Sequence, residues 1–156
     1  MPEKKDVIKM PSFIAPATSG VTVKPADLKK SQTVLYFYPK DDTSGCTTQG
    51  EAFRDHFAKF KKLGVVIYGI SRDSLASHEK FKAKYKFPFE LISDEDEKIC
   101  RAFDVMKMKN MYGRKYLGVE RSTFFIDKKG NIVKEWRKVK VPGHVEEVLA
   151  YAKTQI

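Results

Sequence analysis

Only two cysteines occur in 156 residues, and the three histidines are scattered. Two thiols cannot build the disulfide framework of a small secreted protein. Their spacing with the histidines matches no zinc site, so no bound metal or cofactor is expected. No apolar run approaches the roughly 20 residues needed to cross a bilayer. The start, Met1-Pro2-Glu3-Lys4-Lys5-Asp6, lacks the apolar core of a secretory leader. These absences lead to the expectation of a soluble, cytoplasmic protein with no membrane contact. Internal repeats, low-complexity tracts and linkers are also missing, which points to one domain over 1–156. There is no basic tail and no nucleic-acid motif. The formal net charge is +10, but it is spread over short runs such as Lys29-Lys30, Lys61-Lys62 and Lys128-Lys129. It reads as a solvated surface, and no nucleic-acid partner is expected.

What is present is enough apolar material for a core, 42% of the residues. Residues 1–20 hold Pro2, Pro11 and Pro16 and no periodicity, so they read as an extended arm, with Phe13-Ile14 as its anchor. Val21–Val23 reads as a short strand, and Thr33–Tyr38 and Val65–Ser71 as buried central strands. A helix is expected from Cys46 to about Leu63, with Phe53, Phe57 and Phe60 on one face and Gly64 closing it. Ser74 caps a second helix running to Lys86. Phe89–Ile92 reads as a strand, and Ser93 or Asp94 as the cap of a short helix. Residues 105–118, rich in Lys and Met, read as a loop whose methionines pack rather than bind metal. Ser122–Ile126 and Ile132–Arg137 flank a turn at Lys128–Asn131, which makes a hairpin. Pro142-Gly143-His144 opens a terminal helix. The order implies an α/β fold: a mixed sheet with helices on both faces, ending in a β-hairpin plus helix.

One stretch carries chemistry. Pro39-Lys40-Asp41-Asp42-Thr43-Ser44-Gly45-Cys46 runs from the end of a central strand to the start of a helix. The first N–H groups of a helix are unpartnered and, with the helix dipole, favour negative charge. The thiolate is the nucleophilic form of cysteine. Position alone leaves Cys46 as either a reactive thiol or a buried packing group. A phosphatase loop of the Cys-x5-Arg type would need arginine where Ala52 stands. A Cys-His hydrolase would need a base beside Cys46; His56 lies nearly three helical turns away, and His78 and His144 read as helix surface and helix start. Asp41 and Asp42 read as turn residues.

The spacing Pro39-x-x-x-Thr43-x-x-Cys46 resembles the active-site signature of the peroxiredoxins. The likeness extends through YFYPKDDTSGCTT (36–48), Gly69–Ser74, Ser77-His78, Asn110–Gly113, Arg121–Phe124 and Val139–His144. Over residues 21–148 the chain resembles the bacterioferritin comigratory protein, or peroxiredoxin Q, subfamily. The resemblance implies a thioredoxin-like fold and thiol-dependent reduction of hydroperoxides. It matches Cys46 to the peroxidatic cysteine, Thr43 to the hydroxyl that contacts thiolate and substrate, Pro39 to the screening proline and Arg121 to the active-site arginine. It also implies a monomer served by thioredoxin, glutaredoxin or a small thiol. The chain departs from the family's pattern at the usual resolving positions, which hold Glu51 and Lys82, and at Gln49, where glutamate is usual. Cys100 is left with a packing role or, as the alternative, a resolving one. The expectation is a one-cysteine enzyme whose Cys46 sulfenic acid is reduced by an external thiol. Gly50 reads either as a point of helix mobility or as a tolerated oddity. A non-catalytic basic binding or chaperone-like module is the remaining alternative.

Overall fold

The two apolar runs become the middle of a sheet. A computed structural model describes residues 8–155. Its strands are β1 (Ile8–Lys9), β2 (Ala15–Pro16), β3 (Thr22–Val23), β4 (Gln32–Phe37), β5 (Val65–Ser71), β6 (Glu90–Ser93), β7 (Met106–Met111), β8 (Arg114–Val119), β9 (Ser122–Ile126) and β10 (Asn131–Trp136). The helices are α1 (Ser44–Asp55), α2 (Phe57–Lys62), α3 (Leu75–Tyr85), α4 (Lys98–Ala102) and α5 (His144–Lys153). The main sheet has the order β1-β10-β9-β4-β5-β6. β4, β5 and β6 run parallel, as their crossover helices require. β9, β10 and β1 are added antiparallel. This is a thioredoxin-like mixed sheet with helices on both faces.

The pleat of β4 divides the core. Val34 and Tyr36 join a cluster with Phe53 of α1, Phe60 of α2, Phe81 of α3 and Val148 of α5. Leu35 and Phe37 point the other way, into a cluster with Val23, Leu28, Ile99 and Phe124. Each fully buried aromatic side chain contributes roughly 1.5–3 kcal/mol. Local signals set several boundaries. Ser74 Oγ accepts the Ser77 N–H at 3.1 Å to start α3. Gly64 takes φ +75° and ends α2. Asp127 Oδ1 accepts the N–H groups of Lys129 and Asn131 and shapes the β9–β10 turn.

Several expectations are corrected. The helix expected over 46–63 is two helices, because His56 (φ −101°, ψ 3°) leaves helical geometry and its Nδ1 bonds the Ala52 carbonyl at 2.9 Å. Residues 105–118 are not a loop. Their Met/Lys alternation forms the ribbon β7–β8, turning at Tyr112 and Gly113, both at positive φ. The arm is held by β1 on β10 and by the pair β2–β3. Phe13 anchors it edge-on to Phe103, but Ile14 is exposed, and the buried residues are Ala15 and Ala17. α4 begins at Lys98, later than expected, although the Asp94 carboxylate still accepts the N–H groups of Ile99 (3.0 Å) and Cys100 (2.7 Å). Among the described residues no helix is long and apolar enough to cross a membrane.

Candidate active site around Cys46

The sheet register explains why residues 75 apart in sequence meet. β4 pairs with β9 so that Phe37 lies opposite Ser122. The residue before Ser122, Arg121, is therefore brought beside the loop that leaves β4 and starts α1. Thr43 is the N-cap of α1, in extended geometry, and Cys46 is the third residue of the helix. Cys46 is only 2% exposed, and its Sγ lies 3.4 Å from Arg121 Nη2. Arg121 Nη1 donates to Gln49 Oε1 at 2.6 Å. One planar guanidinium thus spans the sulfur and an amide oxygen one helical turn further on, a pairing that the fixed fork of arginine allows. Gly45 leaves room for it, since a Cβ there would sit 3.2 Å from Nη2.

The hydroxyl of Thr43 does not cap the helix. It donates to the Lys40 carbonyl at 2.9 Å, and the residue is exposed. Pro39 is half-buried where the chain leaves β4. The structure thus brings Cys46, Arg121 and Gln49 into contact and sets Thr43 and Pro39 in the loop leading to them. Burial, then the charges of Arg121 and Arg72, hold Lys109 of β7 below the usual lysine range, while Cys46 and Glu120 act in the opposite sense. Tyr36 lies beneath the site, stacked on Phe53 at 4.6 Å. Its hydroxyl is held well above the ordinary tyrosine value, chiefly by burial and next by the charges of Cys46 and Asp41.

Cys100 is placed elsewhere. It is fully buried in the cluster on the other face of β4, whereas Cys46 packs in the first cluster, so the sheet stands between the two thiols. Burial and the neighbouring Asp94 push the Cys100 thiol well above its ordinary value. Both cysteines are free. Glu51 pairs with Arg54 at 3.6 Å. Lys82 bonds Glu90 at 2.9 Å and Ser19 Oγ at 3.1 Å. Gly50 has a packing reason, because a Cβ there would sit 2.4 Å from Cζ of Phe87.

Two further readings are corrected. Asp41 is a buried carboxylate, not merely a turn residue, and His78 is wholly buried, not on the helix surface. With Asp73 they place three ligand-type atoms within 4.8 Å. These atoms are already committed to hydrogen bonds with Tyr38, Ser71, Ser77 and backbone groups, which fits a metal poorly. His144 starts α5 as expected, but it is buried, with Nε2 2.8 Å from Thr123 Oγ1, and burial lowers its pKa to about 4.

Comparison with known proteins agrees with this geometry. A family model described as AhpC/TSA family matches residues 8–135. The peroxiredoxin Bcp of Bacillus subtilis is 51% identical over 141 residues, 90% of this chain and 90% of that one. The peroxiredoxin Bcp of Xanthomonas campestris is 57% identical over 120 residues, 77% of this chain and 75% of that one. A solved structure of Xanthomonas campestris peroxiredoxin Q has a TM-score of 0.87 at 48% identity, covering 91% of this chain and 90% of the other. The bacterioferritin comigratory protein of the same organism, studied for its alkyl peroxide reduction activity, has a TM-score of 0.87 at 48% identity and covers 92% and 91%.

Proposed function

The chain belongs to the AhpC/TSA family, and from that premise we propose that it runs a one-cysteine cycle on Cys46. It is a peroxiredoxin of the Bcp type, a thiol-dependent peroxidase acting on hydroperoxides. In the proposed first step the Cys46 thiolate attacks one oxygen of ROOH. The S–O bond forms as the O–O bond breaks, and the leaving oxygen takes a proton and departs as alcohol or water. Cys46 becomes a sulfenic acid, the first and reversible stage of thiol oxidation.

Negative charge moves from sulfur to the leaving oxygen during this step, and fixed donors along that path lower the barrier. Arg121 supplies them, with Gln49 holding its plane. The proton of the Thr43 hydroxyl is committed to the Lys40 carbonyl, so its oxygen is left to accept the O–H of the peroxide and orient it. Pro39 screens the site from water. In the second step an external thiolate attacks the sulfenic sulfur, the oxygen leaves as water, and a second thiol resolves the mixed disulfide. The physiological thiol on this reading is thioredoxin, glutaredoxin or a small thiol, and the protein is a cytoplasmic monomer that uses no nucleic acid. Alkyl hydroperoxides, reported for the Xanthomonas relative, are substrates alongside hydrogen peroxide.

The observation that carries the reading is the 3.4 Å contact between Arg121 Nη2 and Cys46 Sγ at the start of α1. The separation of the two thiols by the sheet supports the one-cysteine form. A bond to Cys100 would need the two Cα atoms within about 7 Å. Peroxide consumption with dithiothreitol as reductant tests the role of Cys46, and with thioredoxin as reductant it tests the role of Cys100. Cys46→Ser is expected to abolish turnover and Cys100→Ser to retain it. Turnover lost in Cys100→Ser would favour the two-cysteine form instead.

A further inference from the structure

The loop that presents Thr43 and Cys46 is tied to α3 by buried polar side chains that the peroxide chemistry does not use. Asp41 lies two residues before Thr43. Its carboxylate accepts from Tyr38 Oη at 2.7 Å, from Ser77 Oγ at 2.8 Å and from His78 Nδ1 at 2.7 Å. Its own backbone N–H donates to Asp73 Oδ2 at 2.9 Å. His78 has no exposed surface, and its Nε2 lies 2.9 Å from the carbonyl oxygen of Ile92 in β6.

A carbonyl oxygen only accepts, so Nε2 carries a hydrogen. Nδ1 and the Asp41 carboxyl oxygen lie 2.7 Å apart, so one hydrogen sits between them. His78 is therefore hydrogen-bonded in both directions, to the active-site loop and to the sheet, as a strut between them. The neighbouring Asp42 takes φ +56°, an unusual conformation for a residue with a side chain. It is held there by α3, through Lys84 Nζ at 2.8 Å and Tyr85 Oη at 2.7 Å. A loop held this way keeps the first turn of α1, and with it Cys46 and Thr43, at a fixed place relative to Arg121 on β9.

Resting on the reading of Cys46 as the peroxide-reactive thiol, we propose that Asp41 and His78 are positioning residues for the peroxide reaction. The His78 Nδ1–Asp41 bond holds the Thr43–Cys46 segment in register with Arg121. Neither residue bonds Cys46, so neither is a catalytic residue. Small losses of alignment at a reacting centre cost rate steeply, about a hundredfold for a displacement near 1 Å.

Paired variants separate this role from general stabilisation. In His78→Asn the amide nitrogen falls near the place of Nδ1 and keeps the donor to Asp41. In His78→Gln it falls near the place of Nε2 and keeps only the bond to Ile92. The readouts are the second-order rate of Cys46 oxidation by hydrogen peroxide and the rate of its alkylation by iodoacetamide. His78→Gln is expected to react with peroxide about tenfold or more slowly, with alkylation changed by less than about twofold. His78→Asn is expected to stay within about threefold of the wild-type peroxide rate. A wild-type peroxide rate in His78→Gln overturns the proposal, and so does an equal fall in both variants or a parallel fall in alkylation. Nitrogen-15 NMR of the wild-type protein gives a check that needs no variant. A hydrogen on Nε2 and a slowly exchanging hydrogen between Nδ1 and Asp41 are expected, and an Nδ1 that exchanges freely with solvent contradicts the strut. A wild-type protein inert to peroxide would sink the peroxidase reading and this proposal with it, a result distinct from any variant-specific outcome.

Discussion

The guanidinium of Arg121 touches the Cys46 sulfur with one nitrogen and the Gln49 oxygen with the other. An ammonium cannot span both, so Arg121→Lys is expected to lower the rate of Cys46 oxidation by about 10²–10³-fold, the usual effect of removing one preorganised donor. Stopped-flow oxidation measures it, and a rate within threefold of wild type would count against the assigned role. Cys100 makes the opposite case. As a buried, protonated thiol it is expected to resist alkylation in the native protein, and Cys100→Ala should cost roughly 1 kcal/mol in a urea melt while leaving Cys46 oxidation unchanged. The residues legible in the sequence were those defined by a local pattern. Cys46, Thr43 and Pro39 share one loop, and Arg121 opens a recognisable strand. Asp41 and His78 were not legible, because the docking of α3 against the loop buries them, and nothing in the neighbouring sequence encodes that docking.

Among the elements, β4 and β5 were readable because both are apolar throughout, as buried parallel strands are. The β7–β8 ribbon was not. Its register pairs Met108 with Leu117 and Lys109 with Tyr116, residues that leave the distal part of the ribbon outside the core. The break between α1 and α2 was hidden for another reason. The apolar face continues through Phe53, Phe57 and Phe60, while the interruption lies in the backbone of His56. Gly50 shows how an element is shaped by a partner distant in sequence, since the ring of Phe87 occupies the space of a Cβ. Gly50→Ala removes a mid-helix glycine and by propensity alone would stabilise α1 by roughly 1 kcal/mol. Overpacking against a buried aromatic ring outweighs that gain, so a net destabilisation of about 1–2 kcal/mol is expected. Chemical denaturation decides the sign, and a stabilised variant would contradict the packing account.

For the whole molecule, the central sheet keeps two cores and two thiols apart, and the acid response is partly built in. The pKa of His144 is lowered to about 4 by burial, against the ordinary 6.5. Between those values the unfolded chain binds a proton that the folded chain refuses. Stability from this group is therefore complete above pH 6.5 and declines as pH falls towards about 4, by about 3 kcal/mol over the interval. Urea melts across that range are expected to show a slope that His144→Gln reduces; an unchanged slope would mean the burial of His144 is not felt by folding. The central claim concerns the sheet as a barrier between Cys46 and Cys100. Intact-mass analysis and peptide mapping, after one equivalent of hydrogen peroxide in the presence of dimedone, test it most directly. The account predicts a single dimedone adduct on Cys46, marking its sulfenic acid, with Cys100 still a free thiol. Loss of two hydrogens without an adduct, mapped to a Cys46–Cys100 disulfide, would contradict it.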